Sequence, residues 1–134
     1  MNKIVKICFS GDHLIGITQD NKEIKQSLLW YPRLWAASEE ERNDYYFGSE
    51  GIFWDGIDVQ VSFESFLYPD AEPSPLQRFF LTHPEINVSG FAKKFGLNAS
   101  LLRSYINGFK TPSAEREREI ISFIHHLGEE YTAW

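Results

Sequence analysis

The sequence predicts an α+β fold, in which a small N-terminal α+β module precedes an all-α module. Up to about residue 68, short apolar segments alternate with polar residues or end at turn residues, as strands do. From residue 76 onward, capping residues and apolar spacings of three and four predict helices. Pro69, Pro73 and Pro75 fall between the two patterns. We therefore expect a module at 1–68, a stiff proline-rich linker at 69–75 and a helical domain at 76–134.

Composition bounds the class of protein. The chain has 134 residues, of which 43% are hydrophobic and 16% aromatic, enough to build a core in one domain or two small ones. No apolar run approaches the ~20 residues that a membrane span needs, and the N-terminus lacks the pattern of a cleaved signal peptide. The single cysteine, Cys8, excludes an internal disulfide. We expect a cytoplasmic protein that does not enter the membrane.

Three strands, two helical segments and further extended segments are predicted in the N-terminal module. The strands are 3–9, 14–19 and 23–29, with a hairpin turn at 20–22. Pro32 marks the first turn of a short helix, and Ser38 with Glu41 forms a capping-box pattern for a second. Residues 46–54 indicate a strand or a hairpin broken by glycines, 57–61 an extended segment, and 62–67 a last short turn.

Four helices are predicted in the C-terminal module, each with a start signal. Ser74, Pro75 and Gln77 are typical of a capped first turn, and that helix stops near Pro84. Asn87 caps the second helix, which Gly96 ends. Asn98 caps the third, at 99–107, which Gly108 ends. Residues 111–113 start the long last helix, which we expect to fray or end at Gly128.

Residues 87–112 combine two short helices with a tight glycine turn. Ala92 supplies the small residue needed where the helices approach, and Gly96 tolerates the positive φ of the turn. The stretch carries four basic residues and no acidic ones, in a chain of net charge −6. Residues 1–75 hold 6 basic and 13 acidic residues, whereas 76–134 hold 7 and 6. This pattern predicts a helix–turn–helix, which indicates duplex DNA as a partner at one local surface.

Residues 76–130 resemble the lambda repressor-like (Cro/CI-type) helix–turn–helix class. The small residue at Ala92, the turn Gly96 and the ending Gly-Phe-Lys-Thr-Pro-Ser at 108–113 carry this resemblance. In that class, the second helix of the motif enters the major groove of double-stranded DNA. The resemblance implies that the groove-facing residues are Asn98, Ser100, Leu101, Arg103 and Ser104. It places Asn107, Lys110 and Thr111 near a phosphate, and Lys93 and Lys94 against the DNA backbone.

Two interpretations of this helical pair stay open. Short helical hairpins with Ala and Gly also occur in domains that never touch DNA. In addition, the second helix offers few side chains that read bases, and Arg103 and Asn107 are the best of them. Leu101 is either an apolar contact in the groove or a contact to a protein partner. The alternative to a transcriptional regulator is therefore a protein-interaction module whose helices are structural.

The N-terminal half is similar to a small bacterial family of unknown function. Three segments carry this resemblance: Leu28 to Leu34 (LLWYPRL), Glu41 to Tyr45 (ERNDY) and Gly51 to Asp58 (GIFWDGID). Members have a W-[FY]-P-R-L segment and a G-I-x-W-x-x-I-D segment, and some carry a C-terminal helix–turn–helix. Some are encoded beside a second tiny protein, which implies an antitoxin-like role with a small protein partner. Val59-Gln60 departs from the pattern, because an acidic pair is common there.

Other features of the N-terminal half favour structure over chemistry. The aromatic cluster at 30–54 is read as a core and dimer interface, with a ligand pocket as the alternative. Asp55 and Asp58 with Arg33 and Arg42 are expected to form ion pairs, since no nucleophile–base pair or phosphate loop accompanies them. We expect no enzyme activity, no cofactor and no metal site. An enzyme using this acidic half remains a weaker rival, and it predicts a deep pocket holding Asp55 or Asp58.

Overall fold

The computed structural model describes residues 3–68 and 71–134. The chain divides into two compact units, Met1–Glu72 and Pro73–Trp134. Within the described residues, the fold is mixed α+β, with two three-stranded antiparallel sheets and six α-helices. None of the helices in these residues is both long enough and apolar enough to cross a bilayer.

The first unit contains both sheets. The first sheet has the order β1-β2-β3 and the second the order β4-β5-β6. Short helical segments separate them, two α-helices and 3₁₀ turns at Leu28–Trp30, Asp55–Ile57 and Glu64–Phe66. The strands and α-helices of the unit are β1 (Ile4–Ser10), β2 (His13–Thr18), β3 (Glu23–Ser27), α1 (Pro32–Trp35), α2 (Glu39–Asn43), β4 (Tyr46–Phe47), β5 (Gly51–Trp54) and β6 (Val59–Ser62).

Two local deviations from regular strands shape the first sheet. The register of β1 against β2 shifts between Ile4 and Lys6, and this irregularity buries both Ile4 and Ile7 although they are three residues apart. The predicted strand 23–29 ends early at Ser27, because the Ser27 hydroxyl accepts a hydrogen bond from the Leu29 amide and starts a 3₁₀ turn. The period-2 pattern therefore predicted this strand two residues too long.

The core of the first unit is aromatic and aliphatic, with Trp54 at its centre. The Trp54 side chain is fully buried, and its indole N–H donates to the backbone carbonyl of Arg42 (2.8 Å). Phe66 packs so closely over Gly16 that a Cβ there would lie 2.7 Å from the ring. The other fully buried large side chains of this core are Leu14, Leu28, Leu34, Ile52 and Val61.

Helix α2 begins with the capping box that the sequence predicted. The Ser38 hydroxyl accepts from the Glu41 amide (3.1 Å), and the Glu41 carboxylate accepts from the Ser38 amide (2.9 Å). The hydrogen bond from the Ser38 backbone, followed by the one from its side chain, holds the pKa of Glu41 below its usual value of 4.5. The ionised carboxylate therefore stabilises the folded state more than the protonated form does.

The variant Glu41→Gln is expected to make the stability of the first unit less dependent on pH. A carboxyl group with a lowered folded pKa stabilises the fold above its unfolded pKa, and this stabilisation is lost as the pH falls through the folded pKa. Gln keeps the capping geometry but does not titrate. Urea unfolding at pH 7 and at about pH 3 measures the change for both proteins. An equal loss of stability in the two would contradict the prediction.

Several residues of the predicted linker are held by one of the two units. Pro69 and Asp70 lie outside the described residues. Beyond them, the backbone carbonyl of Ala71 accepts from the Trp30 indole (3.0 Å), and Glu72 pairs with His13 (2.5 Å). On the other side of the boundary, Ser74 caps the first helix of the second unit. Much of the stretch predicted as linker thus takes part in the structure of one unit or the other.

The second unit consists of four α-helices and the loops that join them. Its helices are α3 (Pro75–Thr82), α4 (Val88–Lys94), α5 (Ala99–Asn107) and α6 (Ala114–Thr132). Helix α6 continues past Gly128 to Thr132, so the prediction that the helix frays or ends at this glycine was wrong. Good helix formers surround Gly128, and Glu130 in the last turns is anchored by an ion pair with Lys94 (3.0 Å). These two features offset the cost of a glycine in the helix interior.

Candidate nucleic-acid interface

Helices α4 and α5 are joined by a close-packed apolar core. Ala92 is 1% exposed, which fits the need for a small residue where the two helices meet. The Phe80 and Phe91 rings make an edge contact with centroids 5.2 Å apart, which fixes α4 against α3. The buried residues of this core are Leu76, Phe80, Phe91, Ala92, Leu102, Ile106 and Ile120. The core holds the two helices of the motif as one body.

The turn between α4 and α5 depends on Gly96. Its φ is +68°, in the left-handed region that residues other than glycine rarely adopt. The Leu97 amide donates to the Ala92 carbonyl (2.8 Å), and the Gly96 amide donates to the Lys93 carbonyl (3.4 Å). This pair of hydrogen bonds is the Schellman motif, which satisfies the last carbonyls of α4 and turns the chain sharply. The sequence predicted this turn at the correct residue.

The variant Gly96→Ala is expected to destabilise the second unit by about 1–2 kcal/mol. A Cβ at Gly96 would meet no atom within 4 Å, so the cost comes from backbone strain alone. Gly90→Ala is the matched control in the same motif. Gly90 has no positive φ and its Cβ would make only ordinary contacts, so this change is expected to be neutral or stabilising. Chemical denaturation measures both, and equal effects would refute the assignment.

Asparagine side chains cap both helices of the motif. Asn87 accepts from the Gly90 amide (2.8 Å) and Asn98 accepts from the Leu101 amide (2.9 Å). The Asn98 side chain was predicted to face the groove, and its carbonyl oxygen already accepts the hydrogen bond of this cap. Its amide N–H groups can still donate to a ligand. Asn98 therefore has a structural function in addition to any contact that it makes.

One face of α5 is polar and exposed. Ser100, Arg103 and Asn107 are all exposed, and spacings of three and four residues place them on the same side of the helix. Ser104 lies at the edge of this face, half-buried, and its hydroxyl donates to the Ser100 carbonyl (3.1 Å). We call the residues Ser100, Arg103, Ser104 and Asn107 the polar face of α5. It contains four of the predicted contact residues.

Arg103 is held in place from the neighbouring helix. Its Nη2 group donates to the hydroxyl of Ser89 on α4. A guanidinium has five N–H donors in a planar fork, so the others stay available after this bond. Ser89 was not predicted as part of the site, because a serine on the first helix carries no sequence signal of its own. Only the packing of α4 against α5 brings it to Arg103.

The two predicted lysines of α4 lie on different sides of the helix. Lys93 is exposed and follows Ser89 by four residues, which places it on the side of the helix that meets Arg103. The ammonium group of Lys94 pairs with Glu130 on α6 (3.0 Å) and lies 5.9 Å from the centre of the Phe95 ring. The structure thus groups Lys93 with the polar face of α5, and it separates Lys94 from that face.

The loop after α5 extends the basic surface. Lys110 and Thr111 are exposed, and the Lys110 amide donates to the Ser104 carbonyl (3.2 Å), which holds the loop against the end of α5. Phe109, next to Lys110, is 83% exposed. Phe109 was not among the predicted contact residues, because its exposure is visible only in the structure.

Leu101 lies away from the polar face of α5. It is half-buried and lines a small cavity of about 240 Å³ together with Leu97, Tyr105, Arg116 and Ile120. The cavity places Leu101 on the side of α5 that meets α6. This position does not favour the predicted contact between Leu101 and the DNA groove.

Charge distinguishes this surface from the rest of the chain. No aspartate or glutamate occurs from residue 86 to residue 114, the stretch that contains α4, α5 and the following loop. Lys93, Arg103 and Lys110 are exposed in it. In a chain of net charge −6, such a local surface can attract a polyanion without making the whole molecule bind nonspecifically.

The predicted ion pairs of the first unit are formed only in part. Arg33 lies 4.0 Å from Asp58, and both side chains are largely exposed. Desolvation, followed by the nearby charge of Asp55, raises the pKa of Tyr46. The expectation that Arg42 pairs with a carboxylate is not met, because its guanidinium donates to the backbone carbonyls of Leu34 (3.1 Å) and Trp35 (2.8 Å). Arg42 thus closes the end of α1.

Comparison with known proteins yields no match to a protein-family model, to a curated protein or to a solved structure.

Proposed function

We propose that the second unit binds double-stranded DNA in a sequence-specific way and that the protein regulates transcription. The observation that carries the proposal is the polar face of α5, exposed next to a glycine turn and free of acidic residues. The helix that follows such a turn is the one that enters the major groove in helix–turn–helix proteins. This function requires binding, and it assigns no catalytic step to any residue.

The residues of the surface divide by chemistry into two groups. Arg103 is the side chain suited to read a base, because a guanidinium pairs with guanine O6 and N7 through two hydrogen bonds. Ser100 and Ser104 can bond to base edges or phosphates. Lys93, Lys110 and Thr111 lie where they would contact phosphates, which position a protein on the duplex without reading sequence. With few base-reading groups, affinity should depend strongly on phosphate contacts.

A homodimer is part of this proposal. Two copies would place their α5 helices about 34 Å apart on successive turns of a palindromic site. Each copy alone offers one short reading helix, so a second copy doubles the number of base contacts. The symmetry of the bound sequence therefore reports the symmetry of the protein.

Selection of bound duplexes from a random pool tests the function. The expected result is an enriched palindrome, with binding to it that weakens steeply as salt rises from about 50 to 200 mM. A scrambled duplex of the same length is the control, and it should bind more weakly at every salt concentration. Failure to enrich any sequence, together with no retention of duplex DNA at about 50 mM salt, would refute DNA binding.

The alternative is a protein-interaction module, and one observation in the first unit favours it. Tyr46 and Phe47 form the short outer strand β4, and they are 52% and 38% exposed. Exposed aromatic residues on an edge strand can bind a protein partner, such as the small protein that the antitoxin-like hypothesis implies. This alternative predicts stable co-purification with a small partner and no salt-dependent retention of duplex DNA.

A further inference from the structure

A large apolar groove opens on the second unit away from the polar face of α5. It has a volume of about 970 Å³ and lies between the end of α3, the start of α4 and the C-terminal part of α6. Aromatic and aliphatic side chains dominate its walls, notably Phe79, Phe91, Ile124 and Leu127. Such a groove exposes apolar surface that a partner can cover.

Gly128 makes this groove deeper than the fold requires. It lies in the interior of α6, where glycine is less favourable than alanine. A Cβ at Gly128 would meet no atom within 4 Å, so packing within this unit does not explain the glycine. The missing side chain leaves a depression on the α6 wall of the groove. A group from outside the unit can approach the helix backbone there.

Tyr131 projects beside this depression. It is 65% exposed, lines the same groove, and follows Gly128 by three residues on the same side of α6. One surface therefore carries an apolar projection and an apolar hole next to each other. A surface that contains both members of a complementary pair can bind a second copy of itself across a two-fold axis.

We propose that this groove is the homodimer interface, in which two α6 helices pack antiparallel and Tyr131 of each copy fills the space at Gly128 of the other. In this antiparallel arrangement, residue 128 of each copy lies opposite residue 131 of the other, so the pairing is symmetric. The axis then passes near Glu129 and Glu130. Lys94, which lines the groove, pairs with Glu130 of its own copy (3.0 Å) and so neutralises one of the two carboxylates that each copy brings near the axis.

This interface would supply the dimer that the proposed function uses, and in that sense it rests on that function. Its test nevertheless needs no DNA. Sedimentation equilibrium of the full chain measures association directly, so the interface and DNA binding can fail separately.

The expected result is a dimer for the native chain. Tyr131→Ala should weaken association at least about tenfold, the effect typical of an interface hot spot. Gly128→Leu should also give monomers, because the new side chain fills the depression. It should nevertheless keep or raise the helix content and the Tm, because leucine is a better helix former than glycine. Loss of the dimer with a stable fold separates a blocked interface from unfolding.

A double variant and a control complete the test. Gly128→Tyr combined with Tyr131→Gly exchanges projection and hole, and it should restore the dimer if residue 128 opposes residue 131. Tyr68→Ala changes another exposed tyrosine, in the first unit (77%), and should leave association unchanged. A native chain that stays monomeric, or a dimer that survives both Tyr131→Ala and Gly128→Leu, would overturn the proposal. Occupation by a small ligand or another protein would give the first of these outcomes.

Discussion

Arg103→Ala is expected to weaken binding to the selected DNA site by about 1–3 kcal/mol and to relax base preference at one position of each half-site. Arg103 is the only arginine on the polar face of α5, and Ser89 holds its guanidinium beside that face. Alanine removes both the base contact and the charge. Titration of the native and variant proteins against the site and against single-base variants of it measures the two effects.

Lys110→Ala is the matched control for charge. Lys110 lies in the loop after α5, where it would contact a phosphate, so its removal should weaken all sequences alike and lower the salt slope by about one. The two variants should therefore differ in base preference, because only Arg103→Ala should alter it. If neither change affects binding at moderate salt, this assignment of contacts is wrong.

Ser89→Ala separates positioning from contact. The Ser89 hydroxyl accepts from Arg103 but carries no charge, so its loss should reduce affinity less than the loss of Arg103 itself. A smaller loss of affinity, which disappears when Arg103 is already alanine, would show that Ser89 acts on DNA binding through Arg103. Equal additive effects would indicate that the two side chains act independently.

The helix boundaries of the second unit were predictable because their causes are local. Ser74, Asn87, Asn98 and Ser113 each accept a hydrogen bond from the amide three residues later, and such a cap depends only on neighbouring sequence. The turn at Gly96 is local in the same sense, since it depends on one residue's tolerance of positive φ. Predictions of this kind succeeded at the four helix starts of the unit and at the ends of α4 and α5, but the predicted helix end at Gly128 was wrong.

The arrangement of the candidate site was less predictable because it depends on packing. Lys93 and Lys94 are adjacent in sequence and identical in chemistry, yet only Lys94 reaches Glu130, 36 residues away. The bond between Ser89 and Arg103 likewise joins two helices. Leu101 fits an apolar contact by residue type, but its position on the helix directs it to α6. Residue type alone could not distinguish these cases.

Leu102→Ala is expected to destabilise the second unit by about 2–5 kcal/mol. Leu102 is 1% exposed and packs in the core that joins α4, α5 and α6, where the truncated side chain leaves a cavity. A unit of this size has a total stability of only about 3–9 kcal/mol, so the variant should lose a large part of it. Thermal unfolding followed by circular dichroism measures the loss, and DNA binding should fall with the folded fraction.

Leu101→Ala is the control for Leu102→Ala, because it makes the same substitution at a less buried position of the same helix. The substitution is chemically identical and one residue away, but Leu101 is half-buried beside an existing cavity, so less packing is lost. Its stability should fall clearly less than that of Leu102→Ala, and its affinity for DNA should stay close to that of the native protein. A specific loss of DNA affinity in Leu101→Ala, without loss of stability, would restore Leu101 to the groove. In that case α5 would dock with a different side toward the bases, and the polar face would have to be reassigned.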